Sequence, residues 1–180
     1  MIRLFDLLFS FLGLIVLLPI MLLLWLIGLL ENGSPIFKQK RIGCNQKIFL
    51  LIKFRTMQVG TKSVATHIVD ESAITKFGYF LRRTKLDEVP QLLNVLKGDM
   101  SIVGPRPCLS NQKELIVERK KRGVFNVMPG ITGLAQISGI NMETPTLLAE
   151  TDMKMINKLN LYYYFFYILK TVVLIFKKRA

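Results

Sequence analysis

The sequence is poor in the side chains that build metal centres and disulfides. Its 180 residues include one histidine, His67, and two cysteines, Cys44 and Cys108, which lie far apart and form no CxxC pair. Neither a zinc site nor a disulfide framework is therefore indicated, and unpaired cysteines suit a reducing, cytoplasmic environment. His67 lies in a polar, irregular stretch, residues 60–70, so we interpret it as an incidental loop residue rather than a catalytic one.

Acidic residues are also scarce, since 12 Asp and Glu face 25 Lys and Arg and the formal net charge is +13. At the same time 51% of the residues are hydrophobic, and the mean hydropathy is +0.40. A basic chain can bind nucleic acid, but this one has no zinc-finger, basic-zipper or RNP motif, so we predict no nucleic-acid partner. High hydropathy combined with positive charge favours a membrane surface.

No internal repeat or low-complexity linker divides the chain, so we expect one compact domain with an anchor. The anchor is an almost unbroken apolar stretch, residues 7–30, which is long enough to cross a bilayer as a helix. No small-residue cleavage site follows it, which argues against a signal peptide. Pro19 predicts a kink that would permit a re-entrant hairpin, with a single-pass anchor as the alternative. Nearly all Lys and Arg follow this stretch, which predicts that the domain lies on the cytoplasmic face.

A second stretch, residues 82–107, combines cations, adjacent carboxylates and turn residues. Pro90 predicts the start of a short helix with Asp87 at or beside its N-cap, and Lys97-Gly98 predicts its end. Asp87 and Glu88 would then stand at the positive end of the helix dipole, where they could share a magnesium ion with substrate phosphates. Ordinary helix capping by the two carboxylates is the alternative. Three cations precede them, Arg82, Arg83 and Lys85.

Further basic residues are candidates for phosphate binding. In Gly104-Pro105-Arg106-Pro107, two prolines restrict the backbone around Arg106, which limits the entropy lost when its guanidinium binds a phosphate or a base. Lys53 and Arg55 follow a predicted short buried strand, residues 48–52, and alternate onto one side of it, facing either phosphates or solvent. A helix predicted over residues 72–83 would carry Arg82 to the same site.

The C-terminal third is predicted to be mainly helical. Ser110 is predicted to start a helix over residues 110–122, whose charge run at 118–122 would lie on a solvated or membrane-facing surface. The glycine-punctuated residues 129–139 either approach a ligand closely or form a tight connection. Tyrosines, phenylalanines and terminal cations over residues 161–180 indicate a membrane-interface tail, and a core helix is the alternative for the tyrosines.

These motifs closely resemble the signature of the bacterial sugar transferase family, the small monotopic polyprenyl-phosphate phosphoglycosyl transferases. The central part of the resemblance covers residues 87–92 (DEVPQL), 94–101 (NVLKGDMS) and 103–107 (VGPRP). It continues in residues 33–37 (GSPIF), Gln39, 41–43 (RIG), 53–57 (KFRTM) and 129–136 (PGITGLAQ). The likeness extends from the apolar N-terminus to about Asp152.

The resemblance implies an α/β fold that is mostly helical. It divides the chain into a re-entrant membrane helix over residues 1–31, a compact cytosolic catalytic domain over 32–160 with amphipathic interfacial helices and little sheet, and the interface tail over 161–180. The implied location is the cytoplasmic face of the bacterial plasma membrane, with a homodimer allowed. Leu18 departs from the family, which often has serine before the proline of the anchor.

The implied activity is transfer of a phosphosugar from a UDP-sugar to polyprenyl (undecaprenyl) phosphate, with release of UMP, as the first membrane step of glycan assembly. Asp87 would be the nucleophile, and Glu88 its partner in binding Mg²⁺. Eight residues would contact substrate: Lys53, Arg55, Arg82, Pro105, Arg106, Pro107, Gln136 and Asp152. Ile140 and residues 153–155 (MKM) depart from the family pattern and bear on substrate binding.

Two other functions are compatible with the sequence. A non-catalytic, basic membrane-surface adaptor would need no metal and would tolerate Asp87→Ala. A membrane phosphatase that used the same aspartate would release free phosphosugar instead of a lipid product.

Overall fold

The computed structural model describes residues 1–61 and 71–177. The segment 62–70, which includes His67, and the last three residues, which include Lys178 and Arg179, lie outside that description. The described residues are mostly helical with little sheet, as the sequence predicts. They form the helices α1 (Ile2–Asn32), α2 (Lys76–Thr84), α3 (Gln91–Lys97), α4 (Lys113–Arg122), α5 (Leu134–Ile137), α6 (Pro145–Lys158) and α7 (Leu161–Lys177), and the strands β1 (Ile36–Ile42), β2 (Ile48–Phe54), β3 (Ser101–Val103) and β4 (Gly130–Thr132).

The apolar N-terminal stretch forms α1, which is long and apolar enough to cross a membrane and contains Pro19. Both of its ends contact the domain that follows. Near the start, the Arg3 guanidinium donates hydrogen bonds to the carbonyl oxygens of Val95, at 2.7 Å, and Met100, at 3.1 Å. Near the end, Leu24 packs with Phe54 and Leu81 in one core cluster. The helix closes at Gly33, which adopts φ 66°, a value that favours glycine.

Strands β1 and β2 pair as an antiparallel hairpin whose inner face packs on α3. Phe49 and Leu51 are buried against Val95 and Met100, whereas Ile48 and Leu50 are exposed. The strand predicted as buried is therefore only half-buried. Its side chains alternate between the core and solvent, as expected for a sheet with one solvated face.

One buried asparagine of α3 fastens that helix to β2. Asn94 accepts a hydrogen bond from the Ile52 amide at 3.0 Å and donates one to the Leu50 carbonyl at 2.7 Å. The helix and the strand that leads to Lys53 are thereby held in one register.

Strands β3 and β4 form a parallel pair that brings two glycines together. A Cβ atom added to Gly130 would lie 2.0 Å from the Gly104 nitrogen, so only glycine allows the two backbones to approach. The glycine-rich segment thus packs directly on the Gly104-Pro105-Arg106-Pro107 turn.

The aromatic tail forms α7, which is part of the core. Tyr164 and Tyr167 are buried with Val103 and Met155, and the Phe165 ring contacts those of Phe5 and Phe9 in α1. The core alternative therefore holds for these two tyrosines, whereas Tyr162 remains exposed.

Two predicted helix starts are wrong by a few residues. Helix α2 begins at Lys76 rather than at residue 72, because the Thr75 side chain accepts a hydrogen bond from the Gly78 amide and caps it. Helix α4 begins at Lys113 with Gln112 at its N-cap, three residues beyond the predicted start at Ser110.

Candidate active site

Three segments converge on Asp87: the end of β2, the turn between α2 and α3, and the turn after β3. Lys85 adopts φ 60° and reverses the chain between α2 and a 3₁₀ turn over Leu86–Glu88. Asp87 lies in this turn, upstream of Pro90, which is the N-cap of α3. The predicted start and end of the short helix are confirmed, but Asp87 is displaced by one turn from the predicted cap position.

Asp87 carries a buried carboxylate that is not fully hydrogen-bonded. The residue is 7% exposed, and its Oδ1 atom has no hydrogen-bond partner among the described residues. Burial and the adjacent Glu88 raise the pKa of Asp87 to about 6, against the opposing charges of Lys53, Lys85 and Arg106. An oxygen without a partner in a cationic setting is available to bind or attack an electrophile.

Glu88 and Arg106 form an ion pair that closes one side of the site. The Arg106 Nη2 atom donates to Glu88 Oε1 at 2.9 Å. Burial by itself would raise the pKa of Glu88, but the charges of Arg106 and Lys85 and this hydrogen bond together lower it. Glu88 is consequently held ionised, and 41% of the Arg106 side chain is exposed.

Lys53 and Arg82 supply further positive charge. Burial lowers the pKa of Lys53 to about 8, while the nearby Asp87 opposes that shift. Arg82 donates from Nε to the Thr56 hydroxyl at 2.9 Å, and burial lowers its pKa against the charge of Asp87. The structure therefore brings four of the predicted residues together around the Asp87 carboxylate: Lys53, Arg82, Glu88 and Arg106.

Arg55 lies on the same side as Lys53, as the strand alternation predicts, but it is engaged elsewhere. Both cations lie over the Phe37 ring, at 5.3 Å for Arg55 and 5.4 Å for Lys53. Arg55 Nε donates to the Ser34 carbonyl at 2.8 Å, so this side chain stabilises the connection between α1 and β1. Its predicted phosphate contact gains no support from this geometry.

The remaining predicted residues surround the turn that carries Arg106. Pro105 and Pro107 are buried parts of that turn. Gln136 donates from Nε2 to the Gly104 carbonyl at 3.3 Å, and its Oε1 has no hydrogen-bond partner among the described residues. Asp152 is 1% exposed and binds Arg119, so the structure gives it a role behind the site rather than a surface for substrate.

Two buried arginines at this turn were not predicted. Arg41 donates to the Pro107 carbonyl at 3.0 Å and Arg119 to the Arg106 carbonyl at 2.8 Å. Arg119 lies within the charge run predicted to be solvated, and that prediction is wrong for this residue. Its position four residues after the buried Leu115 places both on one helix face, a spacing that could have revealed it.

Asp87 and Glu88 are also the residues that fit a magnesium ion. No group of three or more His, Cys, Asp or Glu side chains that could hold a metal occurs in the described ranges. Magnesium needs no such cage, because it binds through one or two carboxylates, waters and substrate phosphates. The unpartnered Oδ1 atom of Asp87 provides a ligand of that kind.

The chain is similar to a known group of proteins over nearly its whole length. The family described as "Bacterial sugar transferase" matches residues 1–178. The "Uncharacterized sugar transferase EpsL" of Bacillus subtilis is 50% identical over 113 residues, which cover 62% of this chain and 55% of that protein.

Two further relatives show the same relationship. The "Undecaprenyl-phosphate galactose phosphotransferase" of Salmonella typhimurium is 36% identical over 156 residues, covering 77% of this chain and 33% of that protein. The "Exopolysaccharide production protein PSS" of Rhizobium leguminosarum bv. phaseoli is 40% identical over 153 residues, covering 79% of this chain and 76% of that protein. The chain thus spans about half of the first relative and a third of the second. With its match over residues 1–178, the chain belongs to the bacterial sugar transferase family.

Proposed function

We propose that the chain transfers a phosphosugar from a UDP-sugar to polyprenyl phosphate by a two-step mechanism centred on Asp87. The observation that supports this most directly is the buried Asp87 Oδ1 atom, which has no hydrogen-bond partner in the described ranges and lies among cations. The names of relatives that act on undecaprenyl phosphate support the lipid acceptor.

In the first step, a carboxylate oxygen of Asp87 attacks the β-phosphorus of the UDP-sugar. The bond from that phosphorus to the bridging oxygen breaks, and UMP leaves with the electron pair. In the second step, a phosphate oxygen of the polyprenyl phosphate attacks the same phosphorus, and the Asp87 carboxylate departs. Each step exchanges one bond to phosphorus for another, and the product is a polyprenyl diphosphate sugar.

The surrounding residues suit this chemistry because phosphoryl transfer depends mainly on positioning and on neutralising charge. Arg106 is partly exposed beside Glu88, where its guanidinium would bind a phosphate oxygen. Lys53 and Arg82 would neutralise charge on the transferred group and on the leaving UMP. Asp87 and Glu88 would hold Mg²⁺, which when bound neutralises phosphate charge.

The same proposal places the chain at the cytoplasmic side of the plasma membrane, with α1 entering and leaving through one face. The two ends of α1 contact one domain, through Arg3 and Asp6 at the start and Leu24 and Gly28 at the end. A helix that crossed the bilayer would have its ends on opposite faces, about 30 Å of hydrocarbon apart. Exposed apolar residues between these ends, such as Val16 and Leu22, would face lipid.

Isotope exchange without the lipid acceptor tests the covalent step. Labelled UMP should enter UDP-sugar when enzyme, Mg²⁺ and a panel of UDP-sugars are incubated alone, and a chelator should abolish the exchange. Asp87→Asn should lose both exchange and net transfer, whereas Glu143→Gln, an exposed carboxyl-to-amide change before α6, should keep both.

Each alternative gives a different result. Active enzyme without lipid-free exchange would point to direct transfer in a ternary complex. Free phosphosugar as the main product would indicate a phosphatase. Absence of UMP release with every donor would leave the adaptor as the better explanation.

A further inference from the structure

Arg119 supports the turn that carries Arg106 from inside the protein. Its side chain in α4 is 2% exposed, which is rare for arginine. Its Nη1 atom donates to the backbone carbonyl of Arg106 at 2.8 Å. A buried guanidinium therefore contacts the main chain of the residue whose own guanidinium pairs with Glu88.

Asp152 in α6 fixes the orientation of Arg119. Both Nε, at 3.0 Å, and Nη2, at 2.6 Å, donate to Asp152 Oδ2. With two nitrogens held, the planar guanidinium leaves Nη1 aimed at the Arg106 carbonyl. Lysine could keep the charge opposite Asp152, but its point charge has no fixed fork and could not make both contacts in this geometry.

The neighbouring carbonyls of the turn are held as well. Pro105 accepts from the Gly130 amide at 2.9 Å, and Pro107 accepts from Arg41 Nη1 at 3.0 Å. Three successive carbonyl groups therefore have defined donors. The flanking prolines restrict φ, so the Arg106 backbone has little conformational freedom left. The position from which its side chain extends is therefore fixed.

A buried ion pair is weak evidence for stability, since desolvation of its two charges offsets most of their attraction. The Arg119–Asp152 pair is better explained by the backbone segment that it holds in place. We propose that Arg119 and Asp152 are positioning residues that hold the Arg106 backbone so that its guanidinium stays beside Glu88 and the transferred phosphate. This inference rests on the proposed function.

A double-mutant cycle with Arg106 separates positioning from a general contribution to folding. Arg119→Lys is expected to lower kcat/KM for UMP release by about 10- to 100-fold, the loss expected when a reacting group is slightly misplaced. In an Arg106→Ala background the same change should cost less than about twofold, because the group that it positions is already absent. Single-turnover assays with labelled donor give the sensitivity that slow variants need.

Two further measurements complete the test. Hydrogen exchange of the backbone amides of Gly104, Arg106, Cys108 and Leu109 should rise in Arg119→Lys, while exchange of β2 should not change. Arg122→Lys is the matched control, since Arg122 lies on the same helix and pairs with Glu118 and Glu150 away from the turn. This control should retain wild-type kcat/KM and wild-type exchange.

Equal losses from Arg119→Lys in both backgrounds, or unchanged exchange at residues 104–109, would overturn the positioning role. If Arg119→Lys does not fold, Asp152→Asn is judged by the same two criteria, because it keeps the shape of the pair. If wild-type protein released UMP from no UDP-sugar, the proposed function would fail, while hydrogen exchange would still decide whether Arg119 orders the turn.

Discussion

At the scale of single residues, the site is built around an unfavourable charge. Asp87 is buried, adjacent to Glu88, and has a carboxylate oxygen without a hydrogen-bond partner among the described residues. Only nearby cations keep the pKa as low as about 6. Strongly shifted pKa values are common at functional sites, where an arrangement that favours reactivity often lowers the stability of the fold.

The first prediction concerns the pH dependence of exchange between UMP and UDP-sugar. Asp87 must be ionised to attack, so the rate should fall as the pH drops towards its pKa, which is about 6 in the metal-free protein and lower with Mg²⁺ bound. Glu88→Gln removes a like charge and should move this limb to lower pH, whereas Lys53→Met removes an opposing charge and should move it to higher pH. Lys38→Met, an exposed change on β1, is the control. Shifts of the same sign in the two site variants would contradict the assignment of Asp87.

The second prediction concerns stability. The pKa of Asp87 is raised from 3.8 to about 6 in the folded protein, so between these values the folded state binds more protons than the unfolded state. The free energy of unfolding therefore falls as the pH rises through this window, by up to about 3 kcal/mol. Asp87→Asn has no carboxyl group to ionise at this position, so its free energy of unfolding should not fall for this reason. In chelator it should melt above wild type at pH 7.5 and close to it near pH 4, as followed by circular dichroism.

The control for this measurement is Glu143→Gln, an exposed change that should leave the melting temperature unaltered at both pH values. A lower melting temperature of Asp87→Asn at pH 7.5 would show that the ionised carboxylate stabilises the fold instead.

At the scale of elements, one buried carboxylate joins three parts of the chain. Asp6 Oδ1 in α1 accepts hydrogen bonds from the Ser101 hydroxyl at 3.0 Å, the Ile102 amide at 2.9 Å and the Tyr164 hydroxyl at 2.9 Å. It thereby links the apolar helix to β3 and α7. Strand β3 leads directly to the Arg106 turn, so the anchor and the site share one support.

The third prediction follows from these bonds. Asp6→Ala leaves three buried donors without an acceptor, each at a cost of about 1–3 kcal/mol, whereas Tyr164→Phe removes one donor at about 1 kcal/mol. Thermal unfolding in detergent should rank Asp6→Ala far below Tyr164→Phe, with Leu8→Ala, an exposed position on the same helix, near wild type. Similar melting temperatures for Asp6→Ala and Leu8→Ala would show that this cluster does not hold the anchor.

At the scale of the whole molecule, a domain with an excess of basic residues is combined with one long apolar helix. The helix contacts the domain near both ends and exposes apolar side chains between them. In the proposed function, a polyprenyl phosphate in the bilayer would present its phosphate to this domain at the membrane surface. The proposed arrangement would suit a reaction between a water-soluble donor and a membrane-bound acceptor.

The fourth prediction is the topology. In a Cys44→Ser background, which leaves only the buried Cys108, cysteines are placed at Ile2 and, as the cytoplasmic control, at Gln46 on the hairpin tip. In intact cells, neither cysteine should react with an impermeant external reagent, and both should react after permeabilisation. Labelling of position 2 from outside would show that α1 spans the membrane.

Local sequence determined the elements whose signals are short-range. Pro90 and Gly98 bound α3 as predicted, because proline at a helix start and glycine with φ 89° at its end act through backbone geometry alone. The apolar run produced α1, and the DEVPQL and GPRP motifs marked the residues that surround Asp87. Three charged residues beside Asp87, namely Arg82, Glu88 and Arg106, lie within residues 82–107, and that proximity in sequence already implied a shared site.

Only the tertiary structure decided which charges are exposed and which are buried. Within one run of cations, Arg119 is buried while Lys120 and Lys121 are exposed. Only the helix face that carries Arg119 packs on α6, and its partner there, Asp152, is 33 residues away in sequence. Arg55 and Lys53 share a strand face, yet only Arg55 reaches the Ser34 carbonyl. Composition and local periodicity report on neighbours along the chain, whereas the partner of a buried charge depends on how distant elements pack. For that reason the sequence by itself determined which carboxylates are proposed to react, and the packing of α4 on α6 determined how the backbone of Arg106 is held.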